Sequence, residues 1–121
     1  MSPDELQALV EEATFDYVTG DCAAALEKLG RATARHPDCV EAWHAAAEIH
    51  LSQRHLDLAL DAAERAHALR PDDPLLIATL SRTWMERGDK TKAERYGALA
   101  RVQGWKDELS RPPPADAGGL R

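Results

Sequence analysis

Cysteine, aromatic side chains and long apolar runs are all scarce in this chain, and each shortage removes a class of protein. Two cysteines, Cys22 and Cys39, among 121 residues are too few for a disulfide framework or for a thiolate zinc site with closely spaced ligands; they read as reduced thiols. No apolar run nears the roughly 18 residues that span a bilayer, so no membrane association is expected. The start, Met1-Ser2-Pro3-Asp4-Glu5, lacks the basic and apolar stretches of a secretory signal, and the expected location is cytoplasmic. Phosphate-cradling glycine loops, nucleophile elbows, HExxH helices and paired CxxC motifs are missing too. Hence neither catalysis nor a cofactor is expected.

What the chain does have is charge, unevenly spread. Residues 1–39 carry a net −5, residues 40–73 a net −4 and residues 74–121 a net +3. The overall −6 disfavours nucleic acid, whose phosphates need a positive field. Arg87, Lys90, Lys92, Arg95 and Arg101 concentrate basic charge late in the chain, but without interleaved aromatics they read as a solvated face.

A second feature is periodic. Ala25, Ala59 and Ala93 recur at a spacing of 34, as do Ala32, Ala66 and Ala100. The same step relates Ala13, Ala47 and Ser81, then Leu9, Trp43 and Ile77, then His36-Pro37-Asp38 with Arg70-Pro71-Asp72. Gly20-Asp21 returns two steps later as Gly88-Asp89, with Arg54-His55 in between. No insertion interrupts units 6–39, 40–73 and 74–107.

Local chemistry sets helix ends in the same register. Ser2, Pro3 and Glu5 form a capping box with proline at the first helical position. Gly20 and Gly88 suit left-handed helix ends, and Asp21 can cap the helix that follows. Asp38 with Glu41 predicts a cap for the third helix, and Asp73-Pro74 opens the fifth. The sixth is expected to stop at Gly104, with Trp105 folding back on it. The repeated alanines are expected where paired helices cross closely.

This pattern resembles the tetratricopeptide repeat, most closely from Val40 to Pro71. The resemblance implies an all-α, right-handed solenoid of three helix-turn-helix hairpins, six helices in all, spanning residues 1–109. Residues 110–121, with Pro112-Pro113-Pro114 and Gly118-Gly119, read as a disordered tail. Loss of apolar side chains is expected to close both ends of the array: Glu12 and Asp16 stand there on the first helix, and Glu94, Gly97 and Arg101 on the last.

The resemblance also implies a concave groove lined by the first helix of each unit, binding another protein as a peptide or amphipathic helix. Transferred position by position, that groove presents Gln7, Val10, Thr14 and Tyr17, then Glu41, His44, Glu48 and Leu51, then Leu75, Ala78, Arg82 and Met85. Steps of three or four keep each set on one helix face. Leu51 and Leu75 have an alternative reading as core between repeats. Relatives that clamp a C-terminal carboxylate carry Lys, Asn and Arg in the groove; here that stretch holds Val10, Thr14, Ala45 and Thr79, so such a clamp is not expected. A type III class secretion chaperone and a self-assembling scaffold, hence a homo-oligomer, are alternative readings.

His44 and Glu48, four apart, share a helix face, but His50 lies about 200° round the helix from Glu48, and two ligands make a weak site; no metal is expected. Cys22 begins the second helix, where a thiolate is favoured, yet its counterpart is Leu56, which points to packing.

Overall fold

A computed structural model describes residues 1–112, which form six helices and no strand. They are α1 (Pro3–Val18), α2 (Cys22–Arg35), α3 (Val40–Ser52), α4 (Leu56–Leu69), α5 (Pro74–Glu86) and α6 (Lys90–Ser110). Consecutive pairs fold into hairpins α1/α2, α3/α4 and α5/α6, and the hairpins stack through α2 on α3 and α4 on α5. Helix α3 also touches both α1 and α5, whereas α2, α4 and α6 do not pack on one another. The odd helices therefore lie inside the curve and the even helices splay outside it.

Side-chain size explains the stacking. Ala13, Ala25, Ala32, Ala47, Ala59 and Ala66 have no exposed surface and Ala93 almost none, so each hairpin closes on methyl groups and its axes approach within packing distance. Between α5 and α6 a hydrogen bond joins the pair: Ser81 Oγ donates to Ala93 O at 2.6 Å, and a Cβ on Gly97 would sit 3.3 Å from that hydroxyl. Larger side chains fill the spaces between crossings. Leu9, Leu29 and Ile49 belong to the core that joins the first hairpin to α3, while Leu76 and Leu80 pack with half-buried Trp43.

The helix starts follow capping chemistry in four cases out of six. Ser2, Asp21, Asp73 and Asp89 accept hydrogen bonds from the N–H of Glu5, Ala24, Leu75 and Lys92 respectively. The third helix departs from expectation. Its cap is Cys39, which makes no capping bond, because Cys39 and not Asp38 occupies the place of Asp73 one period on. Gly20 and Gly88 take φ of 97° and 89°, and Arg54 takes 65° at the equivalent place.

The last helix also corrects the expectation. Gly104 does not end it; α6 runs 21 residues to Ser110, and Trp105 stands exposed instead of folding back. Glycine permits a left-handed turn without forcing one. The chain leaves the helix at Arg111, extended at φ −75° and ψ 134°, the backbone that a following proline imposes. Ser110 is thus helical, and residues 113–121 of the expected tail lie outside the described residues.

The ends are less polar than expected. Phe15 and Val18 on α1 are exposed, as are Val102, Trp105 and Leu109 on α6. Among the described residues no helix is long and apolar enough to cross a membrane.

Candidate functional site

The inward helices bring the expected residues to one surface, but they divide it into two unlike regions. Where α1 meets α3, Pro3, Leu6, Val10 and Cys39 line a hollow of about 390 Å³ whose rim carries Gln7, Glu11 and Glu41. Arg70 donates to Glu41 across 3.0 Å with both side chains exposed, a contact that water screens heavily. The hollow's floor is apolar and its rim mainly acidic.

Where α3 meets α5 the surface is polar and internally satisfied. Glu48 lies 3.4 Å from His44 Nε2 and 3.0 Å from the Thr79 hydroxyl, and accepts from the Arg82 guanidinium. His44 Nε2 is also 3.1 Å from Thr79 Oγ1. The hydrogen bond with His44, helped by Thr79 and Arg82 and opposed by partial burial, pulls the Glu48 carboxyl down to about 2. Glu48 and Arg82 are one period apart, so stacking equivalent hairpins is what places them together. A second pair, Arg54 with Glu86, ties the turn after α3 to the end of α5. Tyr17, Leu51 and Ser52 join these four charged residues around a cleft of about 310 Å³.

Each groove residue named from the sequence can now be located. Val10 and Glu41 belong to the apolar hollow, and Tyr17, Glu48, Leu51 and Arg82 to the charged cleft. Thr14 faces solvent and donates to Val10 O within its own helix. Ala78 and Leu51 are half-buried, whereas Leu75 is 68% exposed and so is not core between repeats. Met85 is exposed as well. Leu6, Cys39, Arg54 and Glu86 were missed. Leu6 and Cys39 have the apolar character of core residues, and Arg54 and Glu86 stand at helix ends, where a face-by-face reading does not reach.

The basic concentration is also more structured than its sequence suggested. Lys92 lies 4.2 Å and Arg87 5.6 Å from the Trp84 ring centroid, and Arg87 pairs with Asp57 of α4. Cys22 is half-buried against the first core. Among the described residues no three of His, Cys, Asp and Glu gather as metal ligands.

Hairpins repeating every 34 residues around buried alanines have a counterpart in known sequences: the family model described as tetratricopeptide repeat matches residues 11–74, just over half of the chain. The chain belongs to the tetratricopeptide-repeat family. Repeats of this family are in general protein-interaction modules without catalysis of their own.

Solved structures agree on the fold. A crystal structure of MamA is similar at 18% identity and a TM-score of 0.82, over 86% of this chain and 61% of that one. The CopN-Scc3 complex contains a chain similar at 18% identity and a TM-score of 0.80, over 85% and 61%. An O-GlcNAc transferase mutant from Thermobaculum terrenum follows at 23% and 0.77, over 85% of this chain but 20% of that one. Identities this low speak for the fold alone. The chain spans about three fifths of the length of the MamA structure. No curated protein matches its sequence.

Proposed function

We propose that this tetratricopeptide-repeat chain captures a segment of another protein along its concave face, anchored by an apolar side chain in the hollow between α1 and α3. The observation that carries the reading is the hollow itself: an apolar floor of Leu6, Val10 and Cys39 beneath the carboxylates of Glu11 and Glu41. A partner segment that fits it carries a Leu, Met or Ile followed within one helical turn by Lys or Arg. The apolar group would contribute up to about 1.5–3 kcal/mol if fully buried, and the cation would fix direction through charge-assisted bonds. The network around Glu48 holds α3 to α5 before any partner arrives, which lowers the ordering cost of binding. An amphipathic helix meets these demands, as a helix laid in a groove does elsewhere.

Selection from a displayed library of helical peptides tests the reading. Enriched peptides should share the apolar and cationic pair, should bind Val10→Glu at least about tenfold more weakly, and should lose their preference for Lys or Arg against Glu41→Lys, which changes an exposed residue. Equal binding to the original chain and to both variants would remove the groove from consideration. A chaperone for an export substrate would use the same face, and the likeness to a chain of the CopN-Scc3 complex, being one of fold, does not favour that narrower role.

A further inference from the structure

The outer side of α6 carries an apolar stripe that none of the described residues covers. Ala98, Val102, Trp105 and Leu109 follow steps of four, three and four, which at 100° per residue places them within about 60° of arc. Ala98 is exposed, and Val102, Trp105 and Leu109 are 43%, 63% and 67% exposed. On the opposite side Ala93, Tyr96, Gly97, Ala100 and Gln103 pack toward α5, with Gln103 Nε2 donating to Asp72 O at 3.3 Å. That contact is level with the start of α5, so Trp105 and Leu109 stand on turns beyond the hairpin where every residue from 105 to 112 is exposed. Two free turns of helix gain little from their own hydrogen bonds, and their stripe is as apolar as a buried seam.

We propose that α6 pairs with α6 of a second copy of this chain, antiparallel about a twofold axis near residues 103 and 104. The spacing of the stripe is that of alternating a and d positions in a coiled coil. In the antiparallel register Val102 packs on Trp105 of the other copy, and Leu109 on its Ala98, so each large side chain meets a smaller one. The flanking charges make the choice of occupant. Arg101 and Glu108 edge the stripe on the same side, and this register brings Arg101 of each copy beside Glu108 of the other, giving two ion pairs from one sequence, as an isologous interface requires. A parallel pairing would instead set Arg101 of each copy against Lys106 of the other, like charge against like. Because the stripe faces away from α5, both concave grooves stay open, and the pair presents two binding surfaces.

The test is sedimentation equilibrium of the full chain at low salt, across concentrations bracketing a dissociation constant on the order of tens of micromolar, as befits a small interface. The expected mass rises toward twice 13.3 kDa. Trp105→Glu and Val102→Lys should each hold the chain at the single mass while thermal unfolding stays cooperative. Arg101→Glu and Glu108→Arg should each weaken pairing about tenfold or more, and the two together should restore it to within about threefold. A single mass at every concentration, a dimer surviving Trp105→Glu, or a double exchange that fails to restore pairing would each overturn the proposal.

Discussion

The turn inside the first hairpin and the turn inside the second have the same backbone and opposite chemistry. In the first, Gly20 takes φ 97° and Asp21 caps α2; in the second, Arg54 takes φ 65° and His55 starts α4 with no capping bond. The third hairpin repeats the first, with Gly88 and Asp89. A non-glycine residue in the left-handed region costs about 1–2 kcal/mol, and a missing cap about 1 kcal/mol more. The second hairpin tolerates both because its neighbours over-determine it: α3 and α4 are packed from either side by α2 and α5. Turn chemistry is therefore needed most where packing comes from one side only.

Exchanging the two turns gives the largest effect. Gly20→Arg with Asp21→His should destabilise the chain by about 2–3 kcal/mol, the sum of strain and lost cap, which shows as a fall in Tm of about 8–15 °C. The reverse exchange, Arg54→Gly with His55→Asp, should raise stability by about 1–2 kcal/mol, less than the loss because glycine also loosens the unfolded chain and the exposed Arg54–Glu86 pair is given up. If the first exchange left Tm unchanged, the terminal hairpin would be as over-determined as the central one and the contrast would vanish.

A smaller change sharpens the same contrast one helix earlier. Cys39 stands one period before Asp73, whose carboxylate accepts from Leu75 N at 2.9 Å, and it caps nothing. Cys39→Asp should add about 0.5–1 kcal/mol, the usual worth of an N-cap, read from chemical denaturation at constant m. No gain would mean that the bond from Trp43 Nε1 to Pro37 O at 2.8 Å already fixes the start of α3.

These sites also show what could be read from the sequence. The 34-residue period was enough to place every hairpin, because the crossing points tolerate nothing larger than a methyl group and so leave alanines in register. Followed strictly, the same period points to Cys39 and away from Asp38 as the cap; the nearby Asp-x-x-Glu spacing misled. The length of α6 was illegible for a different reason. Gly104 has no bulk to stop a helix, and the true stop is Pro112 acting on Arg111. In the groove, face membership was readable from steps of three and four, but the meeting of Glu48 with Arg82 and Thr79 depends on how two hairpins stack, and single-helix reasoning does not contain it.

That meeting supplies the last and smallest effect. The junction of α1 with α3 has an apolar floor, whereas the junction of α3 with α5 holds Glu48 well below the usual carboxylate range, at about 2 against 4.5. Since the folded chain favours the ionised form, the stabilisation is present in full above pH 4.5 and is lost as the pH falls from there toward 2. The side chain is about a third exposed, so solvent screening reduces the contribution to about 0.5–1 kcal/mol. Glu48→Gln keeps the shape and removes the charge; its Tm should fall below that of the original chain at pH 6, and the gap should narrow below pH 4.5 and close as the pH approaches 2. Other carboxylates titrate in both proteins and cancel in the comparison. A gap that stays constant between pH 6 and pH 3 would mean that Glu48 acts here through its shape and hydrogen bonds alone, and that charge does not distinguish the two junctions.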